Sequence, residues 1–385
     1  MLRDVLFLAR RSLAAAPGRA AVLVLGLAVA LFLPAFTRAA AAVVERALLE
    51  RARSSPILVG ARGSPFDLVM SSLYFRGGAG TTIRYDERSR LAEYGVAVPL
   101  VVRHSAFGVP VVGTSPEYFE QRDLVPAAGR RPALLGEVLA GSAAARRLEL
   151  EPGDTVRSDL ANLYDLAGGY PTLLEVVGIA EPTGTPDDDV LFADVRTAWL
   201  LDGLLHGHQE VRPDEALNPE ADEGENVEAS AAVFLFQRIT ADNLDTFHLH
   251  GSAGEAPVTA VLVFPRDARR HDQLLGDFAL EETLQAVRPL EVVRSVLDIV
   301  LRVSAALDAY FAAVAISTLA FAALVVLLSL RLRAPELELM RRIGASRGAA
   351  AAVVGAELAI VAAIAVVITG VAVWAGLVWV GGLVT

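Results

Sequence analysis

Three long stretches of the chain carry no charged side chain, and they limit what it can fold into. They comprise residues 20–37, 309–330 and 358–385. A helix rises about 1.5 Å per residue and needs roughly 18–20 apolar residues to cross about 30 Å of hydrocarbon, so each stretch can form a transmembrane helix. The segment between the first two stretches has an ordinary polar composition. The sequence therefore predicts a large water-exposed domain inserted between membrane helices.

The first stretch also begins like a signal peptide, with basic residues before it and small residues at 39–42 after it. However, it is longer than the roughly 7–15 apolar residues of a typical signal sequence. The polar sequence that follows continues with helical character. We therefore expect a retained membrane helix rather than a cleaved leader.

Positive charge is concentrated in two short segments that flank the apolar stretches. Residues 1–19 contain four arginines and one aspartate, and residues 331–347 contain five arginines and two glutamates. The positive-inside rule places both segments in the cytoplasm. Because the whole chain has a net charge of −11, the domain between them is strongly acidic and is expected to lie outside. An acidic domain lacks the basic face that nucleic-acid binding requires, so no nucleic-acid partner is expected.

Two residue types are absent, and their absence excludes several kinds of chemistry. All 34 basic residues are arginine, and there is no cysteine. A standard P-loop needs a lysine to contact the phosphates, and Schiff-base catalysis also needs a lysine. Disulfides and zinc–thiolate sites need cysteine. Any ATP hydrolysis that drives this protein must therefore occur in another chain, and we expect neither an enzyme nor a bound cofactor here.

The predicted fold class is a membrane α-helical protein with three spans plus a large extracytoplasmic α+β domain. In that domain, β-rich runs alternate with helical patterns and turn signals, with a division into two subdomains near residues 120–135. The predicted segments are a cytoplasmic amphipathic helix at 1–19, a span at 20–37, a stalk helix at 38–55, the α+β domain at 56–287 with an acidic loop at 206–230, a second stalk helix at 288–308, a span at 309–330, a cytoplasmic coupling segment at 331–350 and a span at 351–385.

The segment after the second span contains a specific motif. The matching residues are Arg331, Arg333, Glu336, Met340, Arg341, Ile343, Gly344, Ala345, Ser346, Arg347 and Glu357. This pattern resembles the cytoplasmic hinge of FtsX/MacB-type ABC permeases, R-x-R-x-x-E-[IL]-x-x-[LM]-R-x-[IL]-G-A-[ST]-[RK] followed by a glutamate. Residues 111–119 and 137–156 also look like parts of that family's periplasmic core domain. The family usually has four spans, whereas residues 358–385 have room for only one crossing.

The resemblance implies a function, a location and a set of partners. It implies a permease subunit, multi-pass in a bacterial inner (plasma) membrane, that couples ATP hydrolysis by a cytoplasmic ABC ATPase to movements of its periplasmic domain. The task would be export, extraction of lipid-linked cargo or mechanotransmission across the envelope. The further partners it implies are a second permease copy or a paired permease, the lipid membrane, and a periplasmic adaptor or substrate-binding protein.

The motif also has a simpler interpretation. Leu337, Met340 and Ile343 beside arginines suit a short amphipathic helix that docks in a groove of an ATPase. A basic juxtamembrane loop that only sets topology would have a similar composition. The corresponding alternative function is an extracytoplasmic sensor or scaffold without transport activity.

Three other patterns in the sequence resemble catalytic or metal-binding sites. Residues 344–348 match a GxSxG nucleophile elbow by letters only, because no strand precedes them. The histidine pairs flanking the acidic loop are His206, His208, His248 and His250, which are weak candidates for a metal site against a solvated loop. The run Asp187-Asp188-Asp189 follows Thr185-Pro186 and indicates a turn rather than a calcium loop.

Overall fold

The architecture is taken from a computed structural model of the chain. The structure describes residues 2–77, 80–159, 171–207, 238–240, 242–249, 251–332, 334 and 347–384. The described residues form two compact units. One, the helical unit, comprises Met1–Arg46 and Val296–Val384, and the other, the sheet unit, comprises Ala47–Ser295.

Helices occur in both units. The described α-helices are α1 (Leu2–Ala15), α2 (Pro17–Arg53), α3 (Pro65–Leu73), α4 (Glu87–Leu91), α5 (Pro116–Gln121), α6 (Ser142–Leu148), α7 (Val195–Leu201), α8 (Ala268–Ala279), α9 (Pro289–Leu332) and α10 (Arg347–Val384). Two helices of the sheet unit, α3 and α8, begin at capping side chains. Asp267 accepts a hydrogen bond from the Arg270 amide at the start of α8, and Ser64 does the same for Asp67 at the start of α3, which satisfies amides that have no partner within the helix.

Most strands belong to one mixed sheet. The described strands are β1 (Ile57–Ala61), β2 (Ile83–Arg84), β3 (Gly95–Ala106), β4 (Val109–Thr114), β5 (Pro126–Gly129), β6 (Glu137–Ala140), β7 (Thr155–Arg157), β8 (Leu173–Ala180), β9 (Leu191–Asp194), β10 (Leu205–His206), β11 (His248–Leu249), β12 (Pro257–Val258), β13 (Ala260–Pro265) and β14 (Leu284–Val287). In the described part of the chain, the main sheet has the order β14-β1-β13-β3-β4-β9-β6-β8-β5, and β7 pairs with β8. The pairs β4–β9 and β6–β8 are parallel, and the others are antiparallel.

The long strand β3 joins the two halves of this sheet. Its first half pairs with β13 and its second half pairs with β4, with a register shift between Val102 and His104. One apolar cluster packs around β1, β13, α7 and α8, and a second packs around β4, β6, β8 and α6. Ala47–Ser295 is one unit with two apolar clusters on a shared sheet, and the division near residues 120–135 stays a prediction.

Three helices of the described chain are long and apolar enough to cross a membrane. The candidate spans are Pro17–Arg53, Ala306–Leu328 and Ala351–Trp379. Many large apolar side chains along them are exposed, among them Leu25, Ile316, Leu324 and Val367. Such exposure suits a hydrocarbon environment, where apolar side chains carry no hydration cost. Together with the mixed α+β sheet unit, this confirms the predicted fold class.

Candidate functional site

Most residues of the predicted coupling motif lie outside the described residues. These are Arg333, Glu336, Leu337, Met340, Arg341, Ile343, Gly344, Ala345 and Ser346. Arg331 is exposed in the last turn of α9, and Arg347 is the first residue of α10. The role of the motif therefore stays a prediction.

Glu357, the last residue of the motif, is the eleventh residue of α10 and contacts α2. Its carboxylate accepts a hydrogen bond of 3.2 Å from Nη2 of Arg19, and both side chains are largely buried. Further along the same two helices, the Thr369 hydroxyl donates to the backbone oxygen of Ala28 at 3.2 Å. The structure thus places Glu357 in a polar contact between two helices of the helical unit.

The predicted histidine cluster is described in part. The two-stranded sheet of β10 and β11 pairs His206 with His248 directly, so the two positions lie opposite each other. His248 contacts the backbone oxygen of Thr246 at 3.0 Å through Nδ1. His208 and His250, with the acidic loop that they flank, lie outside the described residues. No group of three metal-binding side chains was found among the residues that the structure describes.

The most elaborate polar site of the sheet unit is at the end of α2. Arg51 donates from Nη1 to Oδ2 of Asp187 at 2.7 Å and from Nη2 to Oδ1 at 2.8 Å. Nη2 also donates to the Tyr118 hydroxyl at 2.8 Å, and Nε donates to the backbone oxygen of Leu73 at 3.0 Å. The Tyr118 hydroxyl in turn donates to Oδ1 of Asp187 at 2.6 Å. We call Arg51, Tyr118 and Asp187 the Arg51 site.

Aromatic rings surround the Arg51 site and exclude water from it. The guanidinium carbon of Arg51 lies 5.6 Å from the centroid of the Phe75 ring. Phe192 packs on Tyr118 with ring centroids 5.2 Å apart and on Phe75 at 6.3 Å. In such a low-dielectric setting a charged group needs partners, and the Arg51 guanidinium makes four hydrogen bonds, two of them to the Asp187 carboxylate.

A second layer of contacts holds the residues on either side of Arg51. Arg122 donates to the hydroxyl groups of Ser54 and Ser55, each at 2.6 Å, and its guanidinium carbon lies 5.8 Å from the Tyr118 ring centroid. One turn before Arg51, the backbone oxygen of Leu48 accepts a hydrogen bond of 2.5 Å from the Tyr74 hydroxyl. The C-terminal end of α2 is therefore bound on several sides to the sheet unit.

The electrostatics of the site follow from burial and charge pairing. Burial by itself would raise the pKa of Asp187, but the charge and hydrogen bonds of Arg51 outweigh it and lower that pKa below its usual range. Burial raises the pKa of Tyr118 to about 12, with the Arg51 charge opposing the shift. The site is thus an ionised pair with a neutral tyrosine at physiological pH. Neither Asp187 nor Tyr118 changes its protonation near neutral pH, so the site has a structural role.

Sequence reasoning did not find the Arg51 site. The sequence indicates only a turn at Asp187. In the structure, Asp187 lies in a short 3-10 helix, Pro186–Asp189, capped by Thr185. The available signal is that Tyr118 and Asp187 both follow a Ser/Thr-Pro dipeptide that begins a short helix. No sequence pattern near Tyr118 or Asp187 indicates that either residue contacts an arginine far earlier in the chain.

Comparison with known proteins identifies the architecture. The family model of the MacB-like periplasmic core domain matches residues 20–233, which is more than half of the chain. Among solved structures, the extracellular domain of the noncanonic ABC-type transporter YknZ from Gram-positive bacteria is similar at 12% identity, covering 60% of this chain and 98% of that chain with a TM-score of 0.33. The periplasmic region of MacB from Actinobacillus actinomycetemcomitans is similar at 10% identity, covering 65% and 97% with a TM-score of 0.34. No curated protein sequence matches the chain.

The apolar helices and the mixed-sheet unit define a membrane protein with a large extracytoplasmic domain. With the match to the periplasmic core domain, the chain belongs to the FtsX/MacB-type permease family of ABC transporters.

Proposed function

We propose that this chain is the permease subunit that couples ATP hydrolysis by a separate cytoplasmic ATPase to movement of its extracytoplasmic domain. The observation that carries the proposal is the Arg51 site. The helix that contains the first apolar stretch, α2, ends in a buried pair of charges with Asp187 in the sheet unit. A helix end held by a bidentate pair and its neighbouring contacts has little freedom to slip against the domain. Axial displacement of α2 is therefore passed to the sheet.

The second long helix, α9, is connected to β14, the strand beside β1. Only residues 54–56 separate α2 from β1, and only Arg288 separates β14 from α9. Strands β1 and β14 pair antiparallel through four residues, from Leu58 with Val287 to Ala61 with Leu284. Relative movement of α2 and α9 therefore acts on one strand pair at the edge of the sheet. This connectivity supports a domain that responds to its membrane helices.

The ATPase is proposed to dock on the coupling segment, residues 331–347. This segment joins two apolar helices and has a net positive charge, which favours a cytoplasmic position together with the N-terminus. Leu337, Met340 and Ile343 supply the apolar contacts of a helix-in-groove interface. The active form is proposed to be a pair of permease subunits, with a periplasmic adaptor or substrate-binding protein as a further partner. The proposed task outside is export, extraction of lipid-linked cargo or activation of an envelope enzyme.

Co-purification from native membranes tests the docking proposal. The tagged full-length protein is expected to retain an ATP-hydrolysing partner, and the variants Glu336→Arg and Met340→Glu are expected to lose it. The variant Arg146→Gln is the control, because Arg146 is an exposed arginine on α6 of the sheet unit. Absence of an ATPase from every preparation would favour the sensor or scaffold function instead.

Coupling itself is tested in the same complex with the triple variant Arg51→Met/Tyr118→Phe/Asp187→Leu, which removes the Arg51 site without leaving a buried unpaired charge. The chain has no cysteine, so a single cysteine in place of the exposed Phe107 gives one spin label per protomer. With wild-type Arg51, the distance between the labels of paired protomers is expected to change on ATP hydrolysis. With the triple variant, ATP hydrolysis is expected to continue while the distance change is reduced. An unaltered distance change would contradict the proposed path through Arg51.

A further inference from the structure

The N-terminal helix α1 has a face that its contacts within the helical unit leave exposed. Ala9 is fully buried, and α1 packs against α10. Away from that contact, Phe7 is 61% exposed, and the guanidinium carbon of Arg11 lies 5.7 Å from the centroid of its ring. Arg3 and Arg10 are exposed on the same helix. The exposed part of α1 thus carries Phe7 beside Arg11, two further arginines and the apolar side chains of Leu6 and Leu8.

The connection to α2 determines where this face lies. Helix α1 ends at Ala15, α2 begins at Pro17, and the stretch of α2 without charges starts at residue 20. Because the link is so short, the C-terminal end of α1 lies within a few residues of the membrane–water boundary at which the span begins. Arg11 and Arg10 lie four and five residues before that end, within about 8 Å of it along the helix, so their long side chains reach the headgroup layer.

We propose that the exposed face of α1 binds the phosphate headgroups of anionic phospholipids. Guanidinium groups form paired hydrogen bonds with phosphate oxygens, so Arg10 and Arg11 are the headgroup ligands. Phe7 reaches the boundary between headgroups and acyl chains, where aromatic rings are favourable. With three arginines and only Asp4 as an acid, α1 is complementary to a negatively charged lipid surface.

The membrane is favoured over a soluble protein partner because it is the one surface that must lie beside α1. A protein partner would need to reach a face that is already at the bilayer, whereas lipid headgroups surround it in every state. Binding there would fix the start of α2 relative to the bilayer. This inference concerns lipid recognition and does not depend on the ATPase partner proposed above.

The test uses the full-length protein with a single cysteine in place of Ala14, an exposed residue of α1. An environment-sensitive fluorophore on this cysteine reports on α1 in vesicles of phosphatidylcholine that contain increasing phosphatidylglycerol. Emission is expected to shift to shorter wavelength with phosphatidylglycerol content. Each of Arg10→Gln and Arg11→Gln is expected to raise the half-maximal phosphatidylglycerol content by about five-fold, since each basic residue near an anionic surface contributes about that factor in affinity. Soluble glycerol phosphate is expected to have no effect.

The matched control is the double variant Arg146→Gln/Arg147→Gln, two adjacent exposed arginines on α6, which is expected to keep the wild-type response. The double variant Arg10→Lys/Arg11→Lys retains the charge and is expected to keep a weakened response, which shows that α1 remains folded. Equal emission in both lipids, or an unchanged response in Arg10→Gln/Arg11→Gln, would overturn the proposal. A shift that requires an added soluble protein would overturn it in favour of a protein partner.

Discussion

Arg51 and Asp187 form a bidentate ion pair in which the two side chains are only 2% and 3% exposed. The pair joins the last turn of a long apolar helix to a 3-10 helix in the sheet unit. A buried ion pair contributes little net stability relative to well-packed apolar side chains, but losing one partner is costly because the other charge is left buried. The pair therefore specifies where the end of α2 lies more than it adds to the total stability.

The first prediction is that Arg51→Met strongly destabilises the sheet unit. The substitution leaves the Asp187 carboxylate buried without its charge partner, so we expect the free energy of unfolding to fall by about 3–5 kcal/mol. Urea unfolding of the full-length protein, followed by Trp199 emission after Trp374 and Trp379 are replaced by Phe, measures the change.

Two further variants show whether the loss is electrostatic. Arg53→Met is the control, because Arg53 is an exposed arginine two residues away in the same helix, and its cost is expected to be within about 0.5 kcal/mol of zero. The triple variant Arg51→Met/Tyr118→Phe/Asp187→Leu removes every polar member and is expected to recover most of the lost stability. Failure of the triple variant to recover any stability would mean that packing, not an unpaired charge, accounts for the effect.

Local patterns predicted several elements of the sheet unit well. The residue patterns at 142–148 and 268–279 are typical of helices and the run at 137–140 is typical of a strand, and these ranges are the bounds of α6, α8 and β6. These elements can be predicted because apolar periodicity and helix caps depend on neighbouring residues. Strand β3 runs on to Ala106, further than its apolar run to Val102 indicates, because the pairing of Ser105 and Ala106 with β4 overrides local composition.

The contacts between distant parts of the chain could not be predicted in this way. Arg51 and Asp187 are 136 residues apart, and nothing near either residue identifies its partner. The prediction for Glu357 came from a motif, yet its described contact is with Arg19 in α2. A single sequence carries composition and periodicity, whereas a pair of this kind depends on the order in which strands and helices come together.

The second prediction concerns pH and Glu137. Burial would raise the pKa of Glu137, but hydrogen bonds from Arg130 and from the amides of Ala133 and Leu134 outweigh it and lower the pKa to about 2 from 4.5. A carboxylate with a depressed folded-state pKa stabilises the fold above its unfolded pKa. This contribution is therefore expected to be complete above pH 4.5 and to disappear as the pH falls towards 2.

The measurement compares urea midpoints of the wild type and Glu137→Gln over this range. The wild type is expected to be more stable at neutral pH, and the difference is expected to shrink steadily below pH 4.5. Glu93→Gln, at an exposed glutamate, serves as the control for a general charge effect. A difference that stays constant from pH 7 to pH 2.5 would show that ionisation of Glu137 is not responsible.

The third prediction concerns the polar contact between α2 and α10. Arg19 and Glu357 are 18% and 11% exposed, so reversing one charge places two like charges together with little water. We expect Glu357→Arg to lower stability by about 3 kcal/mol and the swap Arg19→Glu/Glu357→Arg to restore a large part of it. Thermal unfolding of the detergent-solubilised protein measures both.

The exposed pair of Arg38 and Asp308 provides the comparison for that measurement. These side chains are 72% and 36% exposed, and an exposed pair contributes little to stability because water screens the two charges. Asp308→Arg is therefore expected to change the melting temperature much less than Glu357→Arg. Equal effects of the two reversals would indicate that burial does not distinguish the pairs.

The fourth prediction uses two glycines of α10. A Cβ atom at Gly376 would lie 2.5 Å from Cε2 of Phe36 in α2, whereas a Cβ atom at Gly370 would meet nothing within 4 Å. Gly376→Ala therefore forces the Phe36 ring or the helix to move, at a cost of about 1–3 kcal/mol for overpacking, which exceeds the gain in helix propensity of about 1 kcal/mol. Gly370→Ala has only the gain in helix propensity, because its Cβ atom meets no neighbour. In detergent, we expect Gly376→Ala to melt below the wild type and Gly370→Ala at or above it. The double variant Gly376→Ala/Phe36→Leu replaces the ring with a smaller side chain and is expected to recover the lost stability. If it does not, close packing against Phe36 is not what requires a glycine at position 376.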